Sequence, residues 1–432
     1  MQSPRVSPKV PNEIFVSIIE AVWPEDLGAV VASSSRVLYL ARDRLRHHEQ
    51  LKIQYAQVTI IAGTGRPDDF LHPALLLRDI CHEPFIAHYV KYIDYDCKNP
   101  FSSETLEFEG SQLDSSVRDA VEESGGFMDL IRKSPICWND EGLGETLSDS
   151  IRVGEAGPTA MLLLALLPNL SRLRFAPSAW ETSMAPLLDT SRKYGVNGQV
   201  LQRLKSVETY QSGADGGSSW EDVFPWSCLP MVETLRCKRV ECLDGEEMVV
   251  PLTPAWTKFP VSLKCLHLIE CDIHPEALKA ILTPMRCLEE FVYTPSMQSI
   301  LEIWDVGEMV SILIELLAES LRVLGFALPI GPIAAIKTLQ PFKLDAVFPP
   351  MIESLTLWQA HDPASASQCV PRLFVANRDS LPCLRKLTYV GENMPCDTAQ
   401  ALREVNIEVV QKDWLRPQAY QYWIDNPPSS EE

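Results

Sequence analysis

A short apolar motif recurs along the chain and constrains the fold more than any other feature. The motif has the form Leu-x-x-Leu-x-Leu, and its clearest copy runs from Leu263 to Leu268 and continues to Cys271 and Ile273. Eight copies can be aligned on a middle apolar residue: Leu173, Val207, Leu235, Leu266, Phe291, Leu324, Leu355 and Leu387. Successive copies lie 25 to 34 residues apart. Such alternation favours short strands that bury one face, repeated at a nearly constant interval.

The motif and its spacing resemble those of leucine-rich repeats, in which each repeat adds one strand to a curved parallel sheet. The spacing slightly exceeds the usual ~20–29 residues, which favours a full helix on the convex side of each repeat. Such helices are predicted at 275–281, 307–318 and 398–404. The expected fold class is therefore α/β, with an N-terminal helical module followed by an irregular leucine-rich-repeat solenoid. The alternative is an ordinary α/β domain in which leucines merely fill strands.

The first fifty residues differ from the rest and predict three short helices. Pro11 can begin a helix, because its missing N–H costs nothing in the first turn, and Ile14 and Ile18 recur at helical spacing. Pro24 repeats this start signal, and two acidic residues that suit the positive end of a helix follow it. Three serines at 33–35 end the second helix and can cap the third. The pattern predicts a compact helical module.

This module resembles an F-box of the form found at the N-terminus of many filamentous-fungal proteins. The resemblance depends on Pro11-Asn12-Glu13-Ile14, Ile18, the Asp26-Leu27 pair and the helix through Arg36, Leu40 and Leu45. It implies docking on the Skp-family adaptor of a Skp–cullin–F-box ubiquitin ligase, and through that adaptor on a cullin. The residues expected to face the adaptor are Pro11, Ile14, Ile18, Leu27 and Val30. The alternative is that these helices only cap the repeat array, since the ends of such arrays need caps.

These two features define the expected domain organisation. The F-box-like module covers residues 9–50 and a helical linker covers residues 51–84. The array covers 85–412, with a first strand at 90–95 and a last strand at 405–409. An irregular polar insertion at 96–155 interrupts the array, and residues 413–432 form a C-terminal tail whose last part, 426–432, is expected to be disordered.

Charge and cysteine usage limit the classes of partner. The 432 residues have a formal net charge of −20, and the first fifty contain six acidic and six basic residues, so the whole acidic excess lies after residue 50. Binding to nucleic acid or to an anionic membrane is not expected, because both need a basic face. The longest apolar run, residues 160–167, is too short to span a membrane. Twelve cysteines without a Cys-x-x-Cys pair, and no signal-peptide stretch, favour reduced thiols and a cytoplasmic or nuclear location.

The residues that flank each middle apolar position are expected to face a concave surface, away from the core. Of the fourteen such residues in seven of the copies, four are basic and one is acidic. Arg172, Arg174 and Arg236 are predicted to form a positive patch that accepts an acidic or phosphorylated segment of a substrate. His267 belongs to the same expected substrate-binding face. The alternative is that these arginines are solvated strand residues paired with neighbouring acids.

No motif predicts catalysis, a metal or a cofactor. Gly63-Thr64-Gly65 lacks the further glycine and the Lys-Ser or Lys-Thr of a phosphate loop, so a turn is expected there. His82 and His88 lie near Cys81 and Cys97, but their spacing matches no zinc template. The expected function is that of a non-enzymatic adaptor that binds a Skp-family protein through the N-terminal module and a protein substrate through the array. The alternatives are a repeat scaffold outside any ligase and, more remotely, an enzyme, which would need a deep pocket lined by groups with perturbed pKa values.

Overall fold

In a computed structural model, the chain forms two compact units. Unit 1 comprises residues 1–208 and 212–214, and unit 2 comprises residues 209–211 and 215–432. The structure describes residues 10–61, 73–96, 119, 121–123, 125–137, 141–152, 155–176, 184–194, 200–210, 218–242, 261–296, 306–328, 348–359, 381–390, 396–404 and 406–412. The predicted turn at Gly63–Gly65 and the predicted tail at 413–432 lie outside these ranges.

Unit 1 begins with four helices rather than the three that the sequence predicts. α1 (Asn12–Ala21) follows Pro11 and α2 (Pro24–Ala32) begins at the second proline signal. The third predicted helix is divided into α3 (Ser35–Leu40) and α4 (Arg42–Tyr55). The hydroxyl of Ser34 accepts a backbone N–H of the first turn of α3, which confirms the predicted serine cap.

The remaining helices of unit 1 include most of the described residues in the segment that the sequence predicts as an irregular insertion. They are α5 (Pro73–His82), α6 (Ile86–Tyr89), α7 (Met128–Lys133), α8 (Glu141–Arg152), α9 (Ala156–Ala165) and α10 (Ala185–Tyr194), with 3-10 turns at Gly125–Phe127 and Pro135–Cys137. Residues 97–118 of the predicted insertion lie outside the described ranges. In α8, Leu147 and Ile151 are buried one turn apart. This narrow apolar stripe in a polar sequence specifies a helix within the segment that was expected to be an irregular insertion.

The strands of unit 1 begin earlier in the chain than expected. They are β1 (Gln57–Ile61), β2 (Tyr92–Asp96), β3 (Arg172–Phe175) and β4 (Ser206–Thr209), which follow one another in this order across the sheet. β1 pairs with β2 and β2 pairs with β3, both in parallel. The linker predicted to be helical over 51–84 therefore contains a strand. Val58 and Ile60 are buried in alternation, as a strand with one covered face requires.

Unit 2 alternates strands with helices. Its elements are β5 (Ser218–Ser219), α11 (Trp220–Ser227), β6 (Thr234–Lys238), β7 (Val240–Cys242), β8 (Cys265–Ile273), α12 (Pro275–Leu282), β9 (Glu290–Pro295), α13 (Val306–Leu317), β10 (Val323–Leu328), β11 (Ser354–Gln359), β12 (Lys386–Val390), α14 (Cys396–Glu404) and β13 (Glu408–Lys412). The main sheet has the order β6-β8-β9-β10-β11-β12-β13, and its neighbouring strands are parallel. β7 pairs with β5 and with β8 beside this sheet.

The middle residues of the repeated motif form one continuous row across the sheet of unit 2. Strand pairing places them side by side in the order Leu235, Leu266, Phe291, Leu324, Leu355 and Leu387. All six are fully buried. The α/β class, the strand positions and the three predicted helices are thus confirmed, while the last strand begins at Glu408, three residues later than predicted. A helix long and apolar enough to cross a membrane does not occur among the described residues.

Candidate functional site

Exposed apolar side chains are concentrated in the N-terminal helices of unit 1. Among the described residues, nine large apolar side chains are exposed, and eight of them lie between residues 10 and 53. The nine are Val10, Ile14, Val16, Ile18, Trp23, Leu38, Tyr39, Ile53 and Met231. Isolated exposed apolar residues are ordinary, but a local concentration of them indicates an interaction site.

Helix α1 presents one apolar stripe outward and another inward. Ile14 and Ile18 lie one turn apart and are 50% and 47% exposed. Ile19 is buried in the core of the module, and Phe15 and Val22 pack against that core. The α1 surface is defined here as Pro11, Ile14 and Ile18. It lies on the outer side of a helix whose inner side packs in an apolar core.

The other two residues expected to face an adaptor do not belong to the α1 surface. Leu27 is 2% exposed, and Val30 is half-buried against the same core. The core itself consists of Ile19, Leu27, Val31, Val37 and Ala41. In the chain alone, Leu27 is thus a packing residue that holds α2 against its neighbours rather than a surface contact.

A polar clamp fixes the start of α1 against α3. The Nε of Arg36 donates to Oδ1 of Asn12 at 2.9 Å, and its Nη2 donates to the carbonyl oxygen of Val10 at 2.9 Å. The same guanidinium lies 5.0 Å from the centre of the Phe15 ring. The sequence interpretation named Arg36 and Asn12 as separate parts of one motif, and the structure shows that they bind each other. The clamp orients the exposed face of α1.

The N-terminal module is attached to the rest of unit 1 through α2. Glu25 accepts a hydrogen bond from the side-chain amide of Asn169, and its Oε1 lies 2.9 Å from Nδ1 of His88. The ring of Trp23 lies 4.5 Å from that of His88 and meets Phe85 edge-on at 5.6 Å. His88, which the sequence places near a cysteine, therefore belongs to a packing junction.

The carboxylate of Glu25 is stabilised in this junction. Burial raises its pKa, but the hydrogen bonds of Asn169 and His88 outweigh burial, so the pKa of Glu25 lies below its ordinary value. Glu25 is consequently ionised at neutral pH and contributes to holding α2 in place.

Helix α4 is attached to α5 and the residues that follow it. Nη1 of Arg44 pairs with Oε1 of Glu83 at 3.3 Å, and the Tyr55 hydroxyl donates to Oδ2 of Asp79 at 3.0 Å. Burial, together with the charge of Asp79, raises the pKa of Tyr55 to about 12, so the phenol stays protonated. Leu51 of the same helix is buried. α4 is therefore packed on the body of unit 1.

The two arginines of unit 1 that were predicted to form part of a positive patch are paired with acids. Nη2 of Arg172 lies 2.7 Å from Oε1 of Glu208, and Nη1 of Arg174 lies 3.4 Å from Oδ2 of Asp94. Glu208 is itself buried. These pairs match the alternative in which the arginines form ion pairs with neighbouring carboxylates. The third residue of the predicted patch, Arg236, lies on β6 in unit 2.

His267 of β8 lies in a cluster that the sequence interpretation did not assemble. It was expected on an open face, yet it is 4% exposed. Its Nε2 lies 2.8 Å from Oε1 of Glu290 on β9 and 3.2 Å from Sγ of Cys265 on its own strand. Strand pairing places Cys265 directly beside Glu290. The three ligating atoms all lie within 4.8 Å of one another.

The carboxyl group of Glu290 is ionised in this cluster. Burial raises the pKa of Glu290. Three neighbours lower it by more: the hydrogen bond and charge of His267, the charge of Arg236 and a hydrogen bond from Cys265. The pKa therefore lies below its ordinary value. Both contacts of His267 use the same ring nitrogen. A nucleophilic Cys–His–acid arrangement instead needs one nitrogen for the thiol and the other for the acid. The cluster therefore has the donor set of a metal site rather than that of a hydrolase.

The signal for this cluster was present in the sequence but incomplete. Cys265 and His267 stand two residues apart on a predicted strand, so they share a face. The copies aligned on Leu266 and Phe291 also place Glu290 beside Cys265, as strand pairing shows. What the sequence interpretation lacked is the burial of His267 and its contact with Glu290, because it expected an open face there.

The far end of the same sheet face is covered by an aromatic side chain. Trp358 on β11 is buried together with Val292 and Val390. Its ring lies so close to β10 that a Cβ on Gly325 would be 2.8 Å from it. Thr356 is also buried. This part of the face is less accessible than an open binding surface would be.

The sequence matches no protein-family model, and no curated protein is significantly similar to it. Function is therefore inferred from the α1 surface and from the cluster on β8 and β9.

Proposed function

We propose that the chain is a substrate-recognition adaptor of a Skp–cullin–F-box ubiquitin ligase. The α1 surface would bind the Skp-family subunit, and the parallel strands, as an irregular leucine-rich-repeat array, would bind a protein substrate. The chain would perform no chemistry itself, since ubiquitin transfer in such an assembly depends on proximity. A cytoplasmic or nuclear location is part of this proposal.

The observation that supports the proposal most is the clustering of exposed apolar residues in the first helices. Eight of the nine exposed large apolar side chains of the described residues lie there, in a segment that also has its own core. An ordered module with an apolar exterior is suited to docking on a complementary apolar partner. The pairing of Arg36 with Asn12 adds support, because it joins two residues on which the F-box resemblance depends.

The regular row of buried residues supports the array part of the proposal. Copies of the motif 25 to 34 residues apart supply strands that align in parallel with one apolar residue in each shared position. This is the arrangement by which stacked repeats bury a continuous core. A substrate would bind to polar strand residues and to the segments between strands.

A repeat scaffold outside any ligase, with the N-terminal helices as a cap, is the second candidate. The junction formed by Trp23 and Glu25 with Phe85, His88 and Asn169 favours it, because a cap must pack on the array that it closes. An adaptor module can also pack in this way. The two candidates therefore differ in what the exposed face of α1 binds.

Co-expression of the full chain with a Skp-family adaptor, followed by size exclusion and calorimetry, tests the proposal. A one-to-one complex is expected. Ile14→Asp combined with Ile18→Asp should weaken binding at least about 30-fold, on the order of 2 kcal/mol, because both side chains would lose an apolar contact. Both positions are exposed, so the fold should be unaffected.

Ile53→Asp provides the matched control. Ile53 is 82% exposed on α4 and lies outside the α1 surface. The substitution changes charge and apolarity as each single substitution in α1 does, and it should leave adaptor binding unchanged. Absence of any complex with the folded wild-type chain, or equal binding by the α1 variant, would remove the adaptor proposal and favour the scaffold.

A further inference from the structure

The Cys265, His267 and Glu290 cluster in unit 2 has no role in the docking proposal. It combines a thiol, an imidazole and a carboxylate on two adjacent strands of a rigid sheet. Zinc in proteins is bound by these three kinds of ligand, and sites with three protein ligands keep a fourth position for water. The donor set is therefore suitable for zinc rather than for calcium or magnesium, which prefer oxygen ligands alone.

The directions of the contacts favour a shared ion. Nε2 of His267 faces both Sγ of Cys265, at 3.2 Å, and Oε1 of Glu290, at 2.8 Å. The thiol of Cys265 and the ring N–H of His267 can both donate to the carboxylate of Glu290, so the three groups converge on one point. An ion placed there would take the place of these protons and contact all three atoms at once.

The distances require only a small adjustment. Zinc bonds of about 2.0–2.3 Å in a tetrahedral arrangement place neighbouring ligand atoms roughly 3.3–3.8 Å apart. The observed separations are shorter than the corresponding tetrahedral distances, by about 0.5 Å from Nε2 to Oε1 and by about 0.3 Å from Nε2 to Sγ. Side-chain rotation of that size is compatible with the β8 and β9 backbone remaining in place.

We propose that Cys265, His267 and Glu290 bind one zinc ion, with a fourth position open to water. His267 is buried and closes one side, whereas Cys265 and Glu290 are partly exposed and leave a route for the ion. Binding displaces the thiol proton to solvent and forms a zinc–thiolate bond. The thiolate and the carboxylate together offset the charge of the ion, and they also face the nearby positive charge of Arg236, the strand neighbour of His267.

Metal binding by the full chain alone tests this proposal, without any adaptor present. The chain is stripped with a chelator, dialysed, and titrated with Zn²⁺ by calorimetry and with Co²⁺ by absorption. One equivalent of each ion is expected, with a thiolate-to-cobalt charge-transfer band. Cys265→Ser, His267→Gln and Glu290→Gln should each lose this equivalent. Cys287→Ser removes an exposed thiol elsewhere in the unit and should retain it.

A second measurement uses only the wild-type chain and does not depend on the folding of variants. Alkylation followed by mass spectrometry reports the reactivity of each thiol with and without Zn²⁺. Zinc should slow the alkylation of Cys265 and leave that of Cys287 unchanged. Equal alkylation of Cys265 in both conditions, or a cobalt spectrum that Cys265→Ser does not alter, would overturn the zinc site. Either result is independent of adaptor binding, so the two proposals can fail separately.

Discussion

Gly325 illustrates how a single missing side chain determines local packing. The ring of Trp358 on the neighbouring strand occupies the space above it, and an added Cβ would lie 2.8 Å from two ring atoms. Val292, on the other neighbouring strand, would lie 3.2 Å away. Because Trp358 is buried, its ring has little freedom to withdraw.

We expect Gly325→Ala to destabilise the chain by about 1–3 kcal/mol, as overpacking of a core does. Urea unfolding followed by tryptophan fluorescence would measure the change. Gly28→Ala is the control, because an added Cβ at Gly28 meets nothing within 4 Å. Gly28 lies within α2, where alanine should instead stabilise by about 1 kcal/mol. Equal effects of the two substitutions would contradict the close packing of Trp358 on Gly325.

Glu25 gives the N-terminal junction a dependence on pH. Its pKa in the folded chain lies below its ordinary value of 4.5, so the unfolded state binds the proton more tightly. The stabilisation that this carboxylate contributes is therefore present above the ordinary pKa and is lost as the pH falls through the folded value.

We expect Glu25→Gln to destabilise the chain at neutral pH and to have little effect below the folded pKa of Glu25. Urea midpoints of wild type and variant, measured across the acidic range, should converge as the pH falls. Glu13→Gln, at an exposed position in the first turn of α1, provides a control with the same change of charge. A constant difference between wild type and Glu25→Gln at every pH would show that the carboxylate is not linked to folding.

At the scale of elements, regular apolar spacing was sufficient to place most strands. Leu324 and Leu355 were aligned from the sequence, and they are paired in the sheet. Longer helices with a broad apolar stripe, such as α13, were also placed to within a residue. Each of these elements buries a pattern that is visible within one segment, so no long-range information is needed.

Elements whose pattern depends on distant partners were missed. β1 has only Val58 and Ile60 as alternating buried residues, and its strand character depends on pairing with β2. The burial of His267 likewise depends on its neighbours across the sheet. The aligned motif copies are sufficient to pair Cys265 with Glu290, but they do not show which side chains cover a strand face. The β8–β9 cluster was not predicted because the burial of His267 is not visible within one repeat.

At the scale of the whole chain, the N-terminal helices contain a core of their own, and α4 also contacts the rest of unit 1. The core of the module, from Ile19 to Ala41, is formed by α1, α2, α3 and the residue that follows α3, and Leu45 of α4 packs against it. Elsewhere on α4, Leu51 and Tyr55 are buried and Arg44 pairs with Glu83. The expected border at residue 50 would divide α4, which extends to Tyr55.

Two truncations test whether α1 to α3 form a detachable adaptor module or an integral cap of the array. Removal of residues 1–41 deletes the module but keeps α4, so we expect a folded, monomeric chain that has lost adaptor binding. Removal of residues 1–56 also deletes Leu51 and Tyr55, whose burial contributes on the order of 2 kcal/mol each, and leaves Asp79 without the Tyr55 hydroxyl. The longer truncation should therefore unfold at a lower temperature or aggregate. Circular dichroism and size exclusion would measure both properties. If the shorter truncation unfolds as readily as the longer one, α1 to α3 are an integral cap, and the scaffold interpretation gains over the adaptor.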